Sequence, residues 1–341
     1  GVVAACSYEA RKYGIHSAMP MATAMRLCPR ATVVKGTRGE YSKYSRWVTE
    51  IIADKAPLFE KVSIDEFYLD LTGMNKYFNP WQWTIGLRQE IIDKTGLPIS
   101  FALASNKMVA KMATNAAKPN GYMQVKAGME KEFLSPLPVN TIPGIGKQTY
   151  QHLLAIGIQT IGDVNLRKQA DLEFLLGSYG QELWNKAQGI HHGAVVPYSE
   201  AKSVSTENTF ETSSNDMDFI MSELVRMTER IAYELRQDDK MAGCIAVKIR
   251  YPDFETTSRQ MAISYTCYDD ELIPAAKVLF HKLYRKGQSV RLLGVKLSEL
   301  TSEARQTNLF ENTEKKTDLY NAIDAVKGRF GKDAISRART I

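Results

Sequence analysis

Ser63-Ile64-Asp65-Glu66-Phe67-Tyr68-Leu69-Asp70 is the stretch from which the rest of this chain is read. Apolar residues fall at Val62 and Ile64 before the acidic pair, and at Phe67, Leu69 and Leu71 after it. Strand side chains alternate between faces, so this change of parity predicts a turn or bulge at Asp65-Glu66. A two-residue hairpin would set Ile64 opposite Phe67 on one buried face. Asp-Glu is a poor pair for such a turn, which favours Asn-Gly or Asp-Gly, and adjacent carboxylates repel each other. Local rules are broken most often where function demands it. A divalent cation would relieve the repulsion, and carboxylate oxygens suit magnesium. An exposed acidic turn without a ligand is the alternative reading of the same residues.

Around this hairpin, residues 38–125 read as helix, hairpin, helix, strand, helix. Tyr44, Val48, Ile51 and Ile52 share one helical face. Asn79-Pro80 starts a helix carrying Trp83, Leu87 and Ile91, and Gly96 stops it. Ile99, Phe101 and Leu103 alternate as a strand. Ser105 or Asn106 caps a further helix that ends at Lys118-Pro119-Asn120-Gly121. Lys107, Lys111 and Lys118 fall on one stripe of that helix, a solvated face or a surface for phosphates. The class is α+β with an antiparallel sheet. Upstream, residues 1–37 hold a short strand and two helices, the second bracketed by Pro20 and Pro29.

Downstream, residues 126–192 are all helical. Ile142-Pro143-Gly144-Ile145-Gly146-Lys147 precedes an apolar helix with Leu153, Leu154 and Ile156, then Gly157-Ile158. Two glycines allow a tight hairpin that offers backbone N–H groups of Gly144, Gly146 and Lys147 to a nucleic-acid phosphate. This order is the helix-hairpin-helix pattern. Residues 193–202 form a linker with Pro197. Residues 203–300 run β-α-β-β-α-β, with strands at Val204–Phe210, Cys244–Tyr251, Gln260–Tyr268 and Val290–Leu297. Two helices cover one face of the resulting sheet. Ala246, Lys248 and Arg250 would point to the open face, beside Arg291 or Lys296, where cations can follow a phosphate backbone. In residues 301–341, Gln306-Thr307-Asn308-Leu309-Phe310 ends on a Leu-Phe pair suited to a partner's pocket or to packing on its own domain. Leu319, Ile323 and Val326 then follow at helical spacing.

The chain has 341 residues, 44% hydrophobic and 24% charged, an ordinary globular balance long enough for two to four domains. No apolar run approaches the ~20 residues of a membrane helix. Cys6, Cys28, Cys244 and Cys267 are scattered, which argues against zinc and fits a reduced, cytoplasmic protein. Residues 1–125 hold 16 Lys and Arg against 10 Asp and Glu, so the whole net charge of +6 lies there, as a polyanionic partner would favour. Nothing requires more than a monomer. The sequence opens on Gly1 within an apolar run, which reads as a missing N-terminal stretch.

Together these residues resemble the Y-family, or translesion, DNA polymerases, in the DNA polymerase IV branch. The matching stretches are Ser7-Tyr8-Glu9-Ala10-Arg11, Ser63-Ile64-Asp65-Glu66, Ala117-Lys118-Pro119-Asn120-Gly121, Pro143-Gly144-Ile145-Gly146 and the β-α-β-β-α-β segment, in the family's order. The resemblance implies small fingers at 1–37, an antiparallel-sheet palm at 38–125, a helix-hairpin-helix thumb at 126–192 and a little finger at 203–300. It implies error-prone, template-directed DNA synthesis by two-metal phosphoryl transfer, with two Mg²⁺ ions, dNTP and primer-template DNA. Asp65 and Glu66 would be the catalytic metal ligands. Tyr8, Arg11 and Lys118 would hold the incoming triphosphate, and Val2, Ala4 and Cys6 would roof the nascent base pair. Gln306, Leu309 and Phe310 resemble a peptide that docks bacterial polymerases on a sliding clamp. The family's first motif, with another metal-binding aspartate and a ribose-selecting aromatic, would lie before Gly1. A non-catalytic DNA- and clamp-binding module is therefore a second reading, and a metal-dependent nuclease using the same acids a third.

Overall fold

The computed structural model describes residues 1–37, 39–302, 313–332, 334, 335 and 337. Gln306 to Phe310 lie outside the described residues. The chain divides into two compact units, Gly1–Ser199 and Glu200–Ile341.

The first unit begins with a bridge between Val2 and Pro20, helix α1 (Tyr8–Arg11) and helix α2 (Met21–Leu27), closed over Val3, Ile15, Met19 and Ala24. Helix α3 (Glu40–Lys55) buries Val48, Ile51 and Ile52 against Leu87 and Ile91 of α4 (Pro80–Thr95). Asn79 caps α4 by accepting from the Trp81 N–H, and Gly96 ends it at φ 72°. Between the two helices, β1 (Phe59–Lys61) pairs antiparallel with β2 (Phe67–Leu69). Strand β3 (Phe101–Leu103) is joined by α5 (Lys107–Ala117) to β4 (Tyr122–Gln124). The expected antiparallel pairing holds for β1–β2, but β3 and β4 run parallel. The crossover through α5 is the reason, since a helix between two adjacent strands returns the chain in the same direction.

Helix α5 serves two neighbours. Met108, Val109, Met112 and Ala113 are buried in a core shared with Leu134, Ile142, Leu153 and Ile158. Those partners come from the helical segment: α6 (Glu130–Leu134), a 3₁₀ turn at Val139–Thr141, α7 (Lys147–Ala155), α8 (Ile161–Asn165), α9 (Gln169–Leu176) and α10 (Ser178–Ala187). A capping box fixes the start of α8. Asp163 accepts the N–H groups of Thr160 and Gln159 at 2.8 and 2.9 Å, and Thr160 Oγ1 accepts the Asp163 N–H. Those N–H groups hold the Asp163 carboxyl below its ordinary value of 3.8, outweighing the opposing effect of burial. A carboxyl lowered in the folded state stabilises above its unfolded pKa, and that stability is lost as pH falls through the folded value. Acid unfolding followed by circular dichroism is therefore expected to steepen below pH 3.8. Asp163→Ala should flatten that part of the curve and lower stability at neutral pH by about 1 kcal/mol.

The second unit is a four-stranded antiparallel sheet with strand order β5-β8-β6-β7. It runs β5 (Ser203–Ser214), α11 (Met217–Gln237), β6 (Met241–Arg250), β7 (Thr256–Thr266), α12 (Asp269–Leu283) and β8 (Val290–Thr301). Ile245, Val247, Ile249, Leu293, Val295 and Leu297 pack on one face against Ile220, Leu224, Ile231, Leu272 and Leu279 of the two helices. A further helix, α13 (Thr313–Phe330), lies on this unit. Among its described side chains Tyr320 and Lys327 are buried and Ile323 and Val326 half-buried on the same face, whereas Leu319 is exposed, so the apolar spacing found the packed face except at Leu319. Arg236 of α11 donates to both oxygens of Asp324 at 2.7 and 2.9 Å, and to Asp269 at 2.8 Å. The Arg236–Asp324 ion pair and the buried Tyr320, stacked on Tyr268, fasten the helix beside the half-buried Ile323 and Val326. No helix among the described residues is long and apolar enough to cross a membrane.

Candidate active site

The hairpin carries its acids differently from the expected two-residue turn. Phe59 faces Leu69, Glu60 faces Tyr68 and Lys61 faces Phe67, and the Val62 N–H reaches the Glu66 carbonyl at 3.0 Å. Ile64 therefore sits at the tip of a longer loop, exposed, instead of opposite Phe67. The parity change came from loop residues Val62 and Ile64, while the strand residues keep odd numbering on the packed face. Asp65 is the exposed loop residue and Glu66 the half-buried start of the returning segment. Ser63 Oγ donates to Asp65 Oδ1 at 2.7 Å and accepts the Asp65 N–H at 3.3 Å. This turn within the loop replaces the Asn-Gly that the sequence lacks.

Lys111 of α5 donates to Glu66 Oε2 at 2.7 Å, and Lys107, one turn earlier, to Glu60 Oε2 at 2.6 Å. Glu60 also accepts the Val196 N–H at 2.9 Å. Burial alone would lower the Lys111 ammonium, but the hydrogen bond and charge of Glu66 raise it above its ordinary value. Burial likewise works to raise Glu60, and the Lys107 and Val196 donors outweigh it, so its carboxyl is lowered. The expected stripe of three lysines is thus divided. Two are ion-paired to the hairpin, and Lys118 lies past the helix end as its C-cap, with extended backbone (φ −68°, ψ 145°). Lys118 is exposed and stands about 10 Å along the helix from Lys111.

The turn after Lys118 is fastened by a residue that sequence reasoning missed. Arg88 of α4 donates to the Asn120 carbonyl at 2.7 Å, to Asn120 Oδ1 at 2.6 Å and to the Ile99 carbonyl at 2.8 Å. A Cβ on Gly121 would stand 2.2 Å from the Ala117 carbonyl oxygen, so only glycine fits there. Arg88 gave no motif signal, because its partners, two backbone carbonyls and the Asn120 side chain, lie 11 and 32 positions along the chain.

Tyr8 and Arg11 share one turn of α1, with the guanidinium 5.8 Å from the ring centre. Val2 and Ala4 are exposed while Val3 is buried. Cys6 departs from that alternation: it packs on the small core, with its thiol 3.4 Å from the Ile15 carbonyl oxygen. Gly144 has φ 98°, and Gly146 is the extended N-cap of α7, with Lys147 as its first residue. All three are exposed, and Lys186 of α10 donates to the Pro143 carbonyl at 3.1 Å. In the second unit, Lys248 and Arg250 do not stand free on the open face. Lys248 is ion-paired with Glu207, and Arg250 donates to Thr256 Oγ1 at 2.8 Å. Glu207, Gly294 and Lys248 lie in one cross-strand row, and the bare Gly294 lets the pair close over β8. Lys296 is exposed in the next row, and Arg291 lies over the Phe254 ring.

No group of three or more His, Cys, Asp or Glu side chains among the described residues is gathered to hold a metal. Asp65 and Glu66 supply two hard carboxylates, each with one oxygen engaged and the other without a partner among the described residues. That donor set fits magnesium, which is bound by one or two carboxylates together with water and substrate phosphates.

The impB/mucB/samB family matches residues 1–115, and its C-terminal domain matches residues 201–309. The chain is 37% identical over 343 residues to the DNA polymerase IV of Dehalococcoides mccartyi, spanning 100% of this chain and 88% of that protein. It is 34% identical over 348 residues to the DNA polymerase IV of Desulfatibacillum aliphaticivorans, with the same coverage of 100% and 88%. Among solved structures, a Y-family DNA polymerase chimera of Dbh and Dpo4 superposes with a TM-score of 0.79 at 27% identity, covering 89% of this chain and 88% of the other. An insertion ternary complex of Dbh DNA polymerase gives 0.61 at 27% identity, covering 87% of each.

Proposed function

Since the chain belongs to the impB/mucB/samB family, as a Y-family DNA polymerase of the DNA polymerase IV type, we propose that Asp65 and Glu66 are its catalytic metal ligands. The activity is template-directed DNA synthesis of the translesion type, and the non-catalytic reading is not favoured. The observation that carries the site is the pair of adjacent carboxylates, each fixed by one hydrogen bond and open at its second oxygen. Two Mg²⁺ ions held there would neutralise charge on the phosphates and polarise the attacking and leaving oxygens. The chain's own residues do the positioning. Arg11 and Lys118 give charge-assisted hydrogen bonds to the triphosphate, about 1.5–3 kcal/mol each, and Tyr8 adds a phenolic donor. Val2 and Ala4 roof the base pair with small side chains, and Cys6 backs them. The N–H groups near Gly144, Gly146 and Lys147 take phosphates of the duplex without reading sequence. Lys248 and Arg250 join Lys296 on the open sheet face, with Glu207 holding part of their charge.

We assign residues 1–37 to fingers, 38–125 to palm, 126–192 to thumb, 193–202 to a linker and 203–300 to the little finger. Primer-template DNA and dNTP are the substrates, and the protein works as a monomer in the cytoplasm, where its four free cysteines stay reduced. Gln306, Leu309 and Phe310 dock on a sliding clamp. Alanine at Leu309 and Phe310 together is expected to weaken clamp binding at least tenfold by surface plasmon resonance and to leave synthesis without the clamp unchanged. Equal loss of both would reject the assignment. Primer extension tests the main reading. A labelled primer should lengthen only with Mg²⁺ and the templated dNTP, and shortening without nucleotides would point to a nuclease instead.

A further inference from the structure

Helix α5 sends two lysines to the same hairpin, and their partners differ in kind. Glu60, paired with Lys107, stands on β1 and spends its second interaction on the Val196 N–H. Glu66, paired with Lys111 at 2.7 Å, stands beside Asp65 at the end of the loop and keeps Oε1 open. One ammonium is therefore a structural clasp, and the other lies against a carboxylate that has work to do. Resting on the assignment of Glu66 as a metal ligand, we propose that Lys111 is a positioning residue that holds Glu66 in place and sets how readily a divalent cation enters the acidic pair.

The electrostatics act in two directions. Without a cation, Asp65 and Glu66 repel each other, and the Lys111 ammonium offsets part of that charge. It also restricts Glu66 to one orientation, because its stem is anchored on a helix whose neighbours Met108 and Met112 are buried. A dication at Glu66 must then bind beside a resident positive charge. Losing the ammonium should tighten metal binding and, at the same time, release the carboxylate from its geometry, which slows the chemistry. A residue that only supported the fold would weaken both together. Both side chains are partly open, Lys111 at 31% and Glu66 at 40%, so solvent limits the effect to a modest factor.

The test is Mn²⁺ titration of the full-length protein, without DNA or nucleotide, read by electron paramagnetic resonance. Lys111→Gln is expected to bind Mn²⁺ roughly tenfold more tightly than the parent while its kcat for primer extension falls roughly tenfold. Lys111→Arg keeps the charge and should restore the parental Mn²⁺ affinity. Lys107→Gln removes the sister ion pair and should leave Mn²⁺ affinity unchanged. If Lys111→Gln does not fold, as judged by circular dichroism, Lys111→Met carries the same measurement. Unchanged or weaker Mn²⁺ binding in the neutral variant, with Glu66→Gln weakening it, would overturn the proposal and leave the metal site standing. No change in Lys111→Gln and none in Glu66→Gln would show that Glu66 holds no metal at all.

Discussion

Asp65→Asn is expected to lower kcat for single-nucleotide insertion by about a thousandfold, with the Kd for primer-template DNA moved by less than about threefold. The exchange keeps the side chain's shape, and an amide oxygen can still accept from Ser63 Oγ, so the loop has no reason to move. What disappears is one unit of negative charge from a two-carboxylate site. A thousandfold loss equals about 4 kcal/mol of transition-state stabilisation, the scale expected when a metal is misplaced or lost at a phosphoryl centre. Duplex affinity comes mostly from phosphate contacts elsewhere, and so it should survive. Steady-state single-nucleotide insertion gives kcat, rapid-quench single-turnover kinetics checks that the loss lies before product release, and fluorescence anisotropy of a labelled duplex gives Kd. A variant that keeps a tenth or more of the parental rate would remove Asp65 from the site.

The second large effect concerns stability. Arg236→Ala is expected to destabilise the second unit by about 3–5 kcal/mol. The guanidinium and both carboxylates it joins are sheltered, at 7% exposure for Arg236, 6% for Asp269 and 11% for Asp324. Arg236 also donates to the Cys267 carbonyl at 2.8 Å and lies 4.7 Å from the Tyr320 ring centre. Removing it strands two negative charges and a carbonyl together, which costs far more than a surface pair. Differential scanning calorimetry of the variant should show a transition lowered by more than 5 °C. A shift under 2 °C would mean that solvent reaches this cluster freely.

Much of this could be read from residues alone, and the exceptions have physical reasons. Asn79-Pro80 and Gly96 marked both ends of α4, because caps are local chemistry. The alternation of Ile245, Val247 and Ile249 gave strand β6 and its buried face. Asp65 and Glu66 stood out because they offend turn rules, yet the position of the tip was misjudged. Val62 and Ile64 are apolar but exposed, and periodicity cannot tell a packed side chain from a loop one. Strand β4 is three residues long with an exposed-intermediate-exposed pattern, too short for a period to register. Pairings such as Lys111 with Glu66 or Arg88 with Asn120 join residues 45 and 32 positions apart. Nothing local marks such partners. Helix α13 was legible in part: Ile323 and Val326 lie half-buried, but the charged and phenolic residues that also seat it, Asp324 and Tyr320, carry no hydrophobic period.

That ionic seating gives α13 a graded hold on its neighbours. At its margins, Lys316 meets Asp270 at 2.8 Å and Lys332 meets Glu234 at 3.3 Å, and each of these pairs has a side chain about half open to water. Dissolved ions reach such contacts and weaken them, whereas the sheltered Arg236–Asp324 contact is screened much less. Rising ionic strength would therefore fray the helix from both ends inward, with its middle turn around Tyr320 and Asp324 the last to let go.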